Sequence, residues 1–215
     1  MRLALALVTL VLVLAAGASS AATDTVCADA ARNAARRTGV PVDVLLAIAQ
    51  VESGRRQSGG VTPWPWTIND SGAGHWYASR DQAETAARAI IAAGRTSFDV
   101  GCFQLNYRWH GDAFASVTAM FDPDANALYA AGFLRALHAE TGDWSAAAGA
   151  YHSRTPVHAQ RYRDRFDRAL AALGGDPGAP AGPQQPGQAV RVNWFPLLQP
   201  GDGAGAAGSL VPLGL

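Results

Sequence analysis

Between about residues 25 and 173, apolar positions recur at the spacing of amphipathic helices, interrupted by glycines, prolines and capping residues. A first helix is expected from about Thr25 to Thr38, stopping at Gly39, and Pro41 fits the first position of a second helix that ends at Glu52. The prolines and glycines of "TPWPWTINDSGAGHWYAS" exclude a long helix, and "WTIN" and "HWYAS" on either side of "DSGAG" predict a small hairpin. Ser79 with Gln82 makes a capping box for a helix up to Gly94. "SFDVGCFQLNYRWHGDAF" has no helical period and reads as irregular. Asp122 as cap and Pro123 as first residue open a long helix to Gly142, Asp143 opens a short one through Tyr151, and Thr155-Pro156 opens the last, ending near Gly174. The expected fold is mainly α with one small β element, and the missing βαβ alternation excludes a parallel α/β sheet.

The two ends differ from this middle. Residues 1–22, "MRLALALVTLVLVLAAGASSAA", have one Arg, an apolar run from Leu3 to Ala16 and then small residues, the layout of a secretory signal peptide. The run is too short to span a bilayer comfortably and no later segment is apolar enough to hold the chain in a membrane, so an exported protein of the periplasm is expected, with an uncleaved anchor as the alternative. Residues 174–215, rich in Gly, Pro and Ala without a sustained period, read as a disordered tail in which "VNWFPLLQP" is the stretch apolar enough to dock elsewhere. That leaves 23–173 as one domain with a real core.

Charge excludes one partner class. Arginines number 17, lysines none and acids 17, so loss of Arg2 with the leader leaves a net charge of −1 and no basic surplus for nucleic acid. Of the two cysteines, Cys27 follows the leader and Cys102 lies mid-chain; an even pair in an oxidising compartment is expected to be a disulfide, with two free buried thiols as the alternative.

One acid stands out against the pattern. The chain has three glutamates, and in "VLLAIAQVESGRR" a helical step places Leu45, Ile48 and Ala49 within about 60° of Glu52, on or beside the apolar face. Glu52 also falls in the last turn before Gly54, where the negative end of the helix dipole disfavours another negative charge. Both effects raise its pKa. The plainer reading is that Glu52 bends outward to water from the edge of the stripe.

Two further segments bring polar groups to element ends. An extended "CFQLN" would put Gln104 and Asn106 on one face with Phe103 and Leu105 toward the core, and "AYHS" would put Tyr151 at a helix end, where it also reads as an ordinary core tyrosine. The order and spacing of Glu52-Ser53, Gly101-Cys-Phe-Gln104 and Ala150-Tyr151 resemble the catalytic domain of the family 1 soluble lytic transglycosylases, over about Cys27 to Phe166. "PWPWTIN", "DVGCFQLN" and "YHSRTP" look like a subgroup of exported domains of this kind. The chain departs from the broad pattern at His152 and its "SRTP" turn, and at Asn106, where the wider family varies.

The resemblance implies a goose-type-lysozyme-like fold and cleavage of the β-1,4 bond between N-acetylmuramic acid and N-acetylglucosamine in peptidoglycan. It implies Glu52 as acid and then base, with the substrate's own C6 hydroxyl closing a 1,6-anhydro ring. Tyr151 would stand beside Glu52 or the developing charge. Ser53 would orient Glu52 or the substrate, and Gln104, with Asn106 and His152, would meet the sugar. Trp64, Trp66, Trp76 and Tyr77 would stack on sugar rings or pack the hairpin onto the helices. No cofactor is implied, and His75, His110, His138, His152 and His158 lack metal-ligand spacing. Peptidoglycan strands are the implied partner, with a secretion or flagellar assembly reached through the tail as a second. A hydrolytic muramidase and a non-catalytic wall-binding or secretion-assembly module are the competing readings; the intact Glu52-Ser53 pair argues against the module.

Overall fold

The computed structural model describes residues 23, 25–57 and 59–185. The expected leader over 1–22 and the "VNWFPLLQP" stretch lie outside these residues. Helix α1 covers 25–38 and stops where Gly39 turns to a φ of 73°. Helix α2, Val42–Ser53, begins one residue later than expected, with Pro41 as its cap. Two hairpin strands follow directly, β1 (Gly54–Gln57) and β2 (Gly60–Pro63), paired antiparallel. The expected hairpin is β3 (Thr67–Asp70) with β4 (Ala73–Trp76).

Helix α3, Arg80–Ala92, starts on the Ser79 hydroxyl, which accepts from Gln82 N–H; Gln82 Oε1 reaches back to Ala78 N–H. The segment read as irregular contains strands β5 (Phe98–Val100) and β6 (Leu105–Asn106), helix α4 (Tyr107–His110) and a 3-10 turn (Gly111–Ala113). Strand β5 pairs with β3 and β6 with β5, giving a four-stranded antiparallel sheet of order β4-β3-β5-β6. The expectation of a single β element is therefore corrected to two small sheets. The polar β1 strand has no alternation to announce it, and β5 and β6 are shorter than any pattern can resolve.

Short helix α5 (Val117–Met120) leads to α6 (Pro123–Thr141), α7 (Trp144–His152) and α8 (Pro156–Ala172). Asp122 and Asp143 cap α6 and α7 through the third-residue N–H, as their spacing predicts. Helix α7 lies between α6 and α8, and α2 packs on α8. The core they share includes Ile48, Phe103, Phe121, Leu134, Trp144 and Phe166, all essentially inaccessible. Among the described residues no helix is long and apolar enough to cross a membrane.

The boundary expected at Gly174 moves. Residues up to Gln185 lie along the helices as a strap: Trp144 N–H and indole N–H donate to the Pro177 and Ala179 carbonyls, Gly182 N–H to Gly39 O and Gln185 N–H to Arg37 O. A Cβ on Gly39 would meet Gly182 O at 2.1 Å. The strap's composition misled because it is held through its own backbone N–H and C=O groups, which side-chain composition does not report.

Candidate active site

Helix α2 ends against the sheet. Between its last turn, the cleft face of β3, β5 and β6, and the end of α7 lies a cleft of about 520 Å³. Glu52, Gln104, Asn106, Tyr151 and His152 line it together. Five of the residues singled out in sequence thus meet in one place, though they span a hundred positions of chain.

Glu52 projects from the last turn of α2 and stays partly accessible. Its carboxyl is pushed up to about 7, above all because surrounding protein removes water that would solvate the charge. Tyr162 opposes this through its hydroxyl, Asp99 adds to it through negative charge, and the Arg165 guanidinium opposes it. The Tyr162 hydroxyl is buried and makes no hydrogen bond of ordinary geometry to any group among the described residues. It stands close enough to Glu52 to favour the ionised form without a settled bond. Arg165 caps this corner, its guanidinium 5.3 Å over the Tyr162 ring, and His152 stacks on the same ring with centroids 4.7 Å apart. Burial lowers His152 to about 4, with Arg165 and His158 contributing, so it faces the cleft as a neutral ring.

The opposite wall is built by cross-strand register. Asn69, Asp99 and Asn106 are direct partners across β3, β5 and β6, so their side chains share one face. Asn106 Nδ2 donates to Asp99 Oδ1 at 2.8 Å and Asn69 Nδ2 to Oδ2 at 3.1 Å. Asp99 lines the same cleft as Glu52, and burial pushes it up to about 6 against the pull of the two amides. It was not singled out from sequence. Phe98 and Val100 on either side face the core, so the alternation was visible, but an acid opposite two apolar residues ordinarily faces water.

Segment 101–104 is a tight turn and not the extended run expected of "CFQLN". Gly101 has a φ of 82°, and a Cβ there would meet Asn126 Nδ2 at 2.9 Å, so only glycine fits. Gln104 is itself left-handed, φ 46°. Its Nε2 donates to Gly101 O at 2.9 Å and Thr67 O at 3.3 Å, which uses both amide hydrogens and leaves Oε1 for the cleft. The Tyr151 hydroxyl donates to Phe103 O at 2.8 Å, holding the turn beside Glu52, and burial with the Glu52 charge raises its pKa well above the ordinary value.

Three expected substrate contacts lie elsewhere. Ser53 is fully buried and its hydroxyl faces Cys102 O at 2.8 Å and Ala49 O at 3.1 Å, so it fastens the helix end to the turn and does not reach the cleft. Trp66 and Tyr77 are paired through Tyr77 N–H to Trp66 O. They extend β3 and β4 by one residue, and strand parity places Trp66 with Ile68 on the face opposite Asn69. Tyr77 accordingly borders a separate shallow depression with Thr85, Ala86 and Ala89 of α3. Trp64 is buried, with its indole N–H on Tyr77 O. Trp76, 44% exposed, has the parity of Asn69 and donates its indole N–H to Ser53 O at 3.1 Å, beside the end of α2.

Cys27 and Cys102 form a disulfide that ties α1 to the turn. His110 also lines the cleft; it is bonded to the Tyr129 hydroxyl at 2.9 Å, and burial lowers it to about 4. Among the described residues no group of three or more His, Cys, Asp or Glu is arranged to hold a metal ion. Comparison of the chain with protein-family models, with curated proteins and with solved structures finds no match.

Proposed function

We propose that the chain is an exported peptidoglycan lytic transglycosylase with Glu52 as its acid and base. One observation carries this reading: a glutamate at a helix end, buried enough to hold a proton near neutral pH, opens into a cleft of a size for sugar rings. A helix-terminal carboxyl opposite a small antiparallel sheet is also what a lysozyme-like fold would provide. The disulfide is compatible with an oxidising compartment.

In the proposed reaction Glu52 gives its proton to the glycosidic oxygen as the C1–O4 bond breaks. The carboxylate left behind takes the C6 hydroxyl proton while O6 bonds to C1. Glu52 ends protonated again, and no water enters the product. Tyr151 acts as a positioning residue through its bond to Phe103 O, and Gln104 offers Oε1 to the sugar. Hydrolysis is the second reading, favoured by Asp99: a second carboxyl in the same cleft is what a water-activating site uses.

Digestion of purified sacculi in ¹⁸O-water, read by mass spectrometry, tests both. Unlabelled 1,6-anhydro ends are expected, and ¹⁸O-labelled reducing ends would make the protein a muramidase. Absence of turnover by the purified protein would leave only the non-catalytic module. Glu52→Gln should lower turnover by at least about 10²-fold.

A further inference from the structure

Asp99 has no part in the proton transfers of the transglycosylase reaction, yet the fold invests three strands in holding it. It sits at the middle of the amide–carboxylate–amide row, takes one hydrogen bond on each oxygen, and is fixed in rotation by both. A carboxylate has about four acceptor sites, so each oxygen keeps one open. Beside it Gln104 shows Oε1 alone, both its amide hydrogens being spent. The Asn69 side-chain oxygen Oδ1 is buried next to them without a partner among the described residues. Among the described residues no arginine lines the cleft, and both lining histidines are neutral. The strongest groups this wall turns to a ligand are acceptors, and its charge is negative.

We propose that the Asn69–Asp99–Asn106 row is the subsite for a neutral N-acetylhexosamine ring with a free C3 hydroxyl, Asp99 accepting hydrogen bonds from the ring hydroxyls. This rests on the glycan-cleaving reading and narrows it. A β-1,4-linked N-acetylglucosamine offers O3–H, O6–H and an amide N–H as donors. In N-acetylmuramic acid O3 is an ether to the lactyl group, so that donor is gone and, where the peptide is absent, a carboxylate replaces it. A carboxylate facing Asp99 is repelled, whereas hydroxyls meeting a fixed carboxylate make charge-assisted bonds. The row therefore sorts the two alternating sugars and sets which of them lies on the sheet.

Calorimetric titration of Glu52→Gln protein, used to slow turnover during the measurement, with the β-1,4 tetramer of N-acetylglucosamine and with its 3-O-methylated form tests this. The free tetramer should bind at least about tenfold more tightly than the methylated one, and adding Asp99→Asn should remove most of that difference. Equal affinity for the two tetramers, or a preference untouched by Asp99→Asn, overturns the subsite. Failure of the Glu52→Gln protein to bind any tetramer or muropeptide strand would instead overturn the glycan reading itself.

A second measurement covers poor folding of the Asp99 variant. In Glu52→Gln protein, tetramer affinity should fall as pH drops through about 6, where Asp99 takes up its proton. Of the groups around it, His110 and His152 titrate near 4, and Tyr151 and Tyr162 far above that window. A flat profile between about pH 5 and 7.5 overturns the assignment. In the active enzyme Asp99→Asn should raise KM and leave kcat within about threefold; lost kcat at unchanged KM would place Asp99 in the chemistry instead.

Discussion

Replacing Glu52 by glutamine should stabilise the protein, and by an amount that depends on pH. The folded chain holds the Glu52 proton up to about 7, whereas the unfolded chain releases it near 4.5. Between those values the folded state binds the extra proton, so raising pH through the window removes stability. At about 1.4 kcal/mol per decade of proton affinity, the displacement from 4.5 to about 7 corresponds to about 3 kcal/mol once the carboxylate is fully ionised. Glutamine keeps the shape and has no proton to lose. Asp99 carries a penalty of the same sign in both proteins and largely cancels in the difference. Urea unfolding of the two proteins at about pH 4 and about pH 9 gives the test. Near pH 4 they should be alike within the cost of an amide swap; near pH 9 the variant should lead by about 3 kcal/mol, or roughly 6–12 °C in Tm for a domain of this size. A difference that stays constant across the range would mean the Glu52 carboxyl is solvated, and the argument for a proton held near neutrality would fail with it.

Tyr162→Phe removes a hydroxyl that favours the ionised Glu52, so the alkaline limb of the kcat/KM profile should move to higher pH; an unmoved limb would show that the hydroxyl does not act on the carboxyl. Opening the Cys27–Cys102 disulfide, which spans 75 residues, should cost about 4 kcal/mol in urea unfolding, and peptide mapping that finds both thiols free in the native protein would contradict the pairing. A chain ending after Gly174 should be less stable than one ending after Gln185 by about 1–3 kcal/mol, since it loses the hydrogen bonds of the strap to Trp144, Gly39 and Arg37; equal melting curves would refute this.

What could be read in advance was whatever is encoded locally. Asp122-Pro123, Asp143 and Ser79 announce their helices within one turn, and each caps where its spacing says it should. Glu52 was legible because an acid at an apolar angle is anomalous within a single helix. The strands were not, since β1 is polar throughout and β6 is two residues long. Asp99 looked like an exposed strand acid because its meaning comes from Asn69 and Asn106, supplied by two other strands. Tyr162 shares the core spacing of Phe166 and Leu170, and nothing within α8 shows that its hydroxyl meets a helix more than a hundred residues upstream. Ser53 beside Glu52 suggested a substrate contact, but the helix turns it inward to Cys102 O.

The turn at 101–104 closes on itself through Gln104 and Gly101, but it is placed from outside. It hangs from Cys27, Ser53, Asn126 and Tyr151, at separations of 75, 49, 23 and 48 residues. Contacts this remote form only after the chain has paid the entropy of closing the loops between them. In a chain that emerges from its N-terminus, Asn126 and Tyr151 also arrive after the turn they hold. The wall beside Glu52 is thus set among the last events of folding, and oxidation of Cys27 with Cys102 pre-closes the longest of its loops. A partly made chain has the acid but no cleft, so the site beside Glu52 is whole only when the helices are complete.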